Sequence, residues 1–165
     1  VPLIDADHLP EGDAKVEAVR SMFDTIAPRY DLVNRLMTFR MDVRWRRRTV
    51  RELALPDGSR VLDLACGTGD LCDELAAQSL TPLGADLSFG MLAAAHTDAP
   101  LFQGDALRLP LADGTVDGVT CGFALRNFAD LDRFLHELGR VHCDLVFGPV
   151  GPLKTLERCS PQCPS

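Results

Sequence analysis

The chain lacks long apolar runs, a C-x-x-C cysteine pair and an excess of positive charge. No stretch approaches the roughly 18 apolar residues of a transmembrane helix, and no basic segment followed by an apolar one opens the sequence, so we expect a cytoplasmic protein. The six cysteines include no C-x-x-C pair; Cys159 and Cys163, four apart in a Pro-rich tail, could hold a metal by spacing alone, but we expect no metal site. The net charge of −7 argues against general nucleic-acid binding.

One segment departs from this acidic average. Six arginines surround Trp45 within a stretch of helical periodicity: Arg40, Arg44, Arg46, Arg47, Arg48 and Arg51. They form either a solvated helix face or a surface that meets anionic lipid or an anionic substrate. Residues 40–51 are therefore a candidate peripheral contact with the inner face of the membrane.

The hydrophobic pattern divides the chain into three parts, 1–55, 56–141 and 142–165. From residue 13 to 55, apolar residues recur at three- and four-residue spacings and predict two or three helices, with breaks at Pro28, Thr38 and Asp42. Beyond a turn at 56–59, short apolar runs alternate with helical stretches, which indicates βαβ units and a parallel sheet. The predicted strands are 60–65, 81–86, 100–104 and 118–123, and the predicted helices are 70–78, 88–96 and 130–141. Ser88 is the predicted N-cap of the second helix, and Asp130 or Asp132 that of the third. Residues 142–165 form a poorly specified tail.

Residues 61–70 read Val-Leu-Asp-Leu-Ala-Cys-Gly-Thr-Gly-Asp, an apolar strand that ends in a loop of small residues and opens a helix. Such a loop lets the backbone approach a ligand, and the helix start directs free N–H groups at it. A nicotinamide-binding loop would place a third glycine where this chain has Cys72, which leaves a nicotinamide-dependent oxidoreductase as an unfavoured alternative. The D-x-A-x-G-x-G form that begins at Asp63 instead resembles motif I of class I S-adenosylmethionine methyltransferases.

Two later acids support a nucleoside ligand. Asp86 ends the second predicted strand 17 residues after Gly69, close to the separation of about 20 residues at which an acid meets ribose hydroxyls; otherwise it caps the next helix. Asp105 follows the third strand, where class I enzymes hold the adenine amino group, unless it is an ordinary loop acid. The candidate cofactor-binding residues are Asp63, Gly67, Thr68, Gly69, Asp86, Asp105 and Ala106.

The chain resembles the C-methyltransferases of menaquinone and ubiquinone biosynthesis from about residue 18 to residue 141. The likeness is carried by the motif I stretch together with residues 22–31 (Met-Phe-Asp-Thr-Ile-Ala-Pro-Arg-Tyr-Asp), Asn34, Trp45-Arg46, Gly104-Asp105-Ala106, Leu109-Pro110 and 123–127 (Phe-Ala-Leu-Arg-Asn). It implies a Rossmann-like, doubly wound α/β sheet with N-terminal helices, S-adenosylmethionine as cofactor and a prenylated naphthoquinol as substrate. A homo-oligomer is compatible with this resemblance.

The resemblance also implies a mechanism in which a ring carbon attacks the sulfonium methyl group. Such a step needs alignment and a ring made electron-rich by loss of a hydroxyl proton. Arg126 would favour the developing phenolate, and Tyr30, Asp31 and Asn127 would orient or deprotonate the ring. Structural alternatives are a salt-bridged loop position for Arg126 and a core position for Tyr30.

The resemblance stops after residues 137–141, Glu-Leu-Gly-Arg-Val, at the end of the last predicted helix. Family members continue with a Pro-Gly-Gly turn, a fifth strand and an antiparallel hairpin, whereas this chain continues His142-Cys143-Asp144-Leu145. We therefore expect a sheet that lacks its last strands and leaves the fourth as an edge. The two leading hypotheses are a quinol C-methyltransferase and a truncated, non-catalytic remnant of that family.

Overall fold

The structure of the chain is a computed structural model, and it describes residues 12–38, 41–122, 128 and 130–142. Two helices come first, and an alternation of strands and helices follows. In chain order the elements are α1 (Gly12–Thr38), α2 (Met41–Leu53), β1 (Arg60–Leu64), α3 (Asp70–Ala77), β2 (Thr81–Asp86), α4 (Phe89–Ala93), β3 (Leu101–Gln103), β4 (Gly118–Cys121) and α5 (Leu131–Val141). This order confirms the predicted α/β class.

The four strands form one parallel sheet in the order β3-β2-β1-β4. β1 lies in the middle, where Leu62 pairs with Leu83 on one side and with Val119 on the other. Among the described strands β4 is the outermost on its side, and the residue after α5, His142, forms a parallel bridge with Val116 just before it. Because parallel strands end at a common edge, the loops after β1 and β2 meet there.

Helices cover both faces of the sheet. Val61 points to one face and packs with α2 and α3 in a cluster with Val50, Leu53, Leu75 and Leu80. Leu62 and Leu64 point to the other face, in a cluster that includes Phe134 and Leu138 of α5. This alternation follows from the two-residue period of a strand and explains why its apolar residues are continuous.

Several predicted boundaries are confirmed. The Ser88 hydroxyl accepts a hydrogen bond from the Met91 amide at 3.1 Å and caps α4. The Asp130 carboxylate likewise accepts from the Arg133 amide at 2.9 Å and caps α5. α4 ends at Ala93, three residues before the predicted end.

The predicted helix break at Pro28 is wrong. α1 continues through Pro28 and ends at Thr38, so the N-terminal region holds two helices. A proline inside a helix removes one backbone hydrogen bond, but this local preference yields when the flanking turns are held by tertiary contacts. One such contact is made by Asp24, four residues before the proline, and is described below.

Arg140 ties α5 to the chain between β3 and β4. Its guanidinium donates to the Leu109 carbonyl at 3.1 Å and the Leu111 carbonyl at 2.6 Å. It also donates to the carboxylates of Glu137 at 2.7 Å and Asp113 at 2.8 Å. The bonds from Arg140 hold the pKa of Glu137 below its ordinary value. A planar five-donor group is required to satisfy four acceptors at once.

We predict that Arg140→Lys lowers the free energy of unfolding by about 1–3 kcal/mol, because lysine cannot reach both carbonyls and both carboxylates. Urea denaturation measures the change. The matched control is Arg133→Lys on the exposed side of the same helix, which we expect to stay within about 0.5 kcal/mol of the parent. Equal stability of the two variants would show that the Arg140 contacts contribute nothing.

Candidate cofactor site

The loop after β1 turns sharply at the carboxyl edge of the sheet. Gly67 and Gly69 have φ angles of 58° and 94°, and Ala65 has 55°. A Cβ atom at Gly69 would lie 2.4 Å from Thr97 Cγ2, so only glycine fits this position. The same region is closed by the His96 amide, which donates to the Thr68 carbonyl at 3.2 Å. These contacts hold the predicted glycine loop in one conformation.

Asp86 joins the glycine loop to the loop after β2. Its Oδ2 accepts a hydrogen bond from the Gly67 amide at 2.8 Å, and its Oδ1 accepts from the Ser88 amide at 2.8 Å. Burial raises the pKa of Asp86, while these backbone N–H groups lower it. The bond to Ser88 fixes the turn before α4, but the N-cap of that helix is Ser88 and not Asp86, as considered in the alternative. The bond to Gly67 places the carboxylate at the predicted cofactor loop.

Asp63 lies beneath this loop, inside the sheet. Only 2% of it is exposed. Its Oδ1 accepts from the Thr120 hydroxyl at 2.7 Å, and the Cys72 thiol lies 3.9 Å from Oδ2. Burial is the main reason that the pKa of Asp63 rises to about 7, and the nearby charge of Asp86 adds to the effect. Asp63 therefore supports the loop from below.

The remaining predicted cofactor residues line the same edge. Thr68 is buried, and Ala106 is half-buried. Asp105 is exposed just past β3, where its Oδ1 accepts from the Leu107 amide at 2.9 Å. Since β3 pairs with β2 through Gln103 and Asp86, Asp105 follows the strand adjacent to the Asp86 carboxylate.

The four predicted catalytic side chains lie outside the part of the chain that the structure describes. Tyr30 and Asp31 belong to the backbone of α1, but their side chains lie outside the described part. Arg126 and Asn127 lie outside the described residues altogether. Their roles stay predictions.

Two residues at the site were not singled out by the sequence analysis. Thr120 stands opposite Asp63 in the β1–β4 register, and a polar residue within a buried strand was the available signal. Asp24 of α1 accepts from the Ser88 hydroxyl and from the Gly90 amide, the latter at 2.9 Å. The only sequence signal for Asp24 was its position within the 22–31 motif. Its contacts could not be predicted, because its partners are more than 60 residues away.

Within residues 12–38, 41–122, 128 and 130–142, no group of three or more His, Cys, Asp or Glu side chains is arranged to hold a metal ion. No helix in that part of the chain combines the length and apolar character needed to cross a membrane.

The parallel sheet and its glycine loop define a Rossmann-like α/β protein, similar to solved methyltransferase structures. A putative methyltransferase from an antibiotic biosynthesis pathway of Anabaena variabilis superposes with a TM-score of 0.59 at 31% identity, covering 64% of this chain and 44% of that one. A model of the ubiE/COQ5 methyltransferase family matches residues 11–165. The chain belongs to the ubiE/COQ5 methyltransferase family.

Curated relatives agree with this assignment. A demethylmenaquinone methyltransferase from Corynebacterium urealyticum is 42% identical over 147 residues, which are 88% of this chain and 62% of that protein. Another from Thermus thermophilus is 47% identical over 146 residues, 82% of this chain and 64% of that protein. The chain thus spans about three fifths of the length of these relatives. The family match extends beyond both ends of the predicted likeness at 18–141, and the division at residue 142 stays a prediction.

We predict that Asp63→Asn stabilises the protein more at pH 8 than at pH 5. The raised pKa means that the folded state binds a proton more tightly than the unfolded chain, so the parent loses stability as the pH rises from about 4 to about 7. Asparagine keeps an acceptor for Thr120 and removes the charge. Urea denaturation at both pH values measures the difference.

The control for Asp63 is Asp117→Asn, at an exposed aspartate before β4. Its effect on the free energy of unfolding should lack the growth between pH 5 and pH 8 that we expect for Asp63→Asn. If Asp63→Asn changes the free energy of unfolding by the same amount at both pH values, the raised pKa of Asp63 is contradicted.

Proposed function

We propose that this chain binds S-adenosylmethionine and transfers its methyl group to a ring carbon of a prenylated naphthoquinol. The observation that carries the proposal is the Asp86 carboxylate held against the Gly67 amide of a glycine loop, in a chain of the ubiE/COQ5 methyltransferase family. The names of the curated relatives support the quinone substrate.

The residues of the cofactor site fit the proposed methyl donor. A carboxylate offers about four acceptor positions, and backbone amides use two of those on Asp86, which leaves capacity for two ribose hydroxyls. Gly67 and Gly69 adopt positive φ angles that glycine adopts without strain, and this conformation places the loop backbone beside the Asp86 carboxylate. We assign Asp105 and Ala106 to the adenine side of the same site.

The bound donor would supply an electrophilic methyl group, and the chain would supply alignment and proton transfer. We propose that Tyr30, Asp31 and Asn127 orient the acceptor ring or take its hydroxyl proton. Arg126 would stabilise the phenolate that results. Positioning the two reactants is worth several kcal/mol of the barrier in reactions of this kind, so no covalent nucleophile is needed.

The alternatives have less support. A nicotinamide-dependent oxidoreductase is disfavoured by family membership and by Cys72, which is fully buried in α3 at the position of the missing glycine. The non-catalytic alternative differs from the proposal only in turnover. Measuring donor binding and methyl transfer separately therefore distinguishes them.

We predict that Asp86→Ala weakens the affinity for S-adenosylmethionine about tenfold or more, because it removes charge-assisted hydrogen bonds to the ribose. Calorimetry on the parent chain comes first, and circular dichroism checks that the variant folds. The matched control is Asp98→Ala, at an exposed aspartate near the same edge, which should bind like the parent. Unchanged affinity in Asp86→Ala would remove Asp86 from the site.

We further propose that α2 contacts anionic membrane surfaces, where a prenylated quinol would reside. Three of its arginines already pair within the chain: Arg46 with Asp70 at 2.9 Å, Arg47 with Glu74 at 3.5 Å and Arg48 with Glu52 at 2.6 Å. The contact would therefore rest on the exposed Arg44 and Arg51 of this helix, together with Trp45, which is 43% exposed. Arg40 lies outside the described residues.

We predict that replacing Arg44 and Arg51 by glutamine reduces binding to anionic vesicles about fivefold for each arginine at low salt, since each contributes about 1 kcal/mol near a charged leaflet. Co-sedimentation measures the binding, which should also fade as salt is added. Arg108→Gln, exposed on another part of the surface, is the control. Equal binding to neutral and anionic vesicles would end the proposal.

A further inference from the structure

α1 meets α4 at Asp24, whose carboxylate and backbone both contact the start of α4. Asp24 Oδ1 accepts hydrogen bonds from the Ser88 hydroxyl and from the Gly90 amide, at 2.9 Å for the amide. The backbones are in close contact here, because a Cβ atom at Gly90 would lie 2.9 Å from Asp24 Cα. A helix 60 residues upstream is thereby fixed to the turn that follows β2.

The same turn is connected to the glycine loop in two ways. The Ser88 amide donates to Asp86 Oδ1, and Asp86 Oδ2 accepts from the Gly67 amide, both at 2.8 Å. Separately, the Met91 side chain packs against the loop, since a Cβ atom at Gly67 would lie 3.2 Å from Met91 Cε. A continuous path of short contacts therefore runs from Asp24 to Gly67.

The Asp24 contact is a charged one. The Ser88 hydroxyl, followed by the Gly90 amide, holds the pKa of Asp24 below its ordinary value, so the carboxylate is ionised at neutral pH. Hydrogen bonds to an ionised acceptor are about twice as strong as neutral ones. The contact is thus suited to fix the first turn of α4.

We propose that Asp24 is a positioning residue for the cofactor site: it fixes residues 88–91 and, through them, Asp86 and Gly67. Docking of α1 and binding of the cofactor then strengthen each other, because a coupling between two sites is reciprocal. The statement about the cofactor rests on the proposed function, whereas the statement about the loop does not.

The first experiment needs no ligand. Amide hydrogen exchange is measured on the full chain and on Asp24→Ala, with Glu17→Ala as control, since Glu17 is an exposed acid of the same helix that pairs with Arg20 one turn away. We expect exchange at residues 88–91 and at Gly67 to become about tenfold faster in Asp24→Ala and to stay unchanged in the control. Faster exchange confined to α1 would overturn the proposal.

Asp24→Asn separates positioning from simple support of the helix. Both hydrogen bonds go to one oxygen, Oδ1, which an asparagine carbonyl can reproduce without the charge. We expect this variant to be intermediate, with exchange at Gly67 about threefold faster than in the parent. If Asp24→Ala does not fold, this variant decides: parent-like exchange would overturn the proposal.

The second experiment uses S-adenosylmethionine. We expect about tenfold weaker affinity in Asp24→Ala, about threefold weaker affinity in Asp24→Asn and parent affinity in Glu17→Ala. The ligand should slow exchange at residues 20–27 in the parent and not in Asp24→Ala. A parent that does not bind the ligand would contradict the proposed function, while the exchange results still decide the role of Asp24. Parent affinity in a folded Asp24→Ala would overturn the coupling.

Discussion

The Asp86 carboxylate is the group on which the cofactor edge depends. One oxygen satisfies an amide of the glycine loop and the other satisfies an amide of the turn into α4. Burial works against the ionised form, and the backbone donors work for it. The Asp86 carboxylate thus joins the two loops, while burial and hydrogen bonding act on its ionisation in opposite directions. The shape of this edge of the sheet therefore depends on the charge of a single residue.

A second polar layer lies under the first. Asp63 and Thr120 face each other across the β1–β4 register, and their neighbours along the two strands are apolar and buried. A carboxyl group in such a place costs stability that an apolar pair would not, and departures of this kind mark functional regions of a fold. The position beneath the glycine loop is consistent with support of the loop rather than with support of the core.

The sequence predicted the parts that depend on local pattern. The strands, the helices after them and the caps at Ser88 and Asp130 follow from apolar periodicity and capping chemistry, and the structure confirms them. The break at Pro28 failed because tertiary contacts outweigh a local preference. The Asp24–Ser88 contact could not be read in advance, since its partners are 64 residues apart and meet only once the sheet has formed. The catalytic side chains are still known from family resemblance alone.

The central place of β1 has a consequence for the order in which the molecule assembles. β1 pairs first with β2, about 20 residues later, but its other edge must wait for β4, which pairs Val61 with Gly118. During synthesis, therefore, a strand whose Val61, Leu62 and Leu64 are buried in the folded protein emerges from the ribosome well before its second neighbour exists. Long-range parallel pairing is slow, and until β4 pairs, the free edge of β1 is exposed and prone to aggregation. We expect the nascent chain to rely on chaperones until β4, which ends at Cys121, has been made. Within the described ranges, α1 and α2 are the only elements made before β1 that can cover it in the meantime.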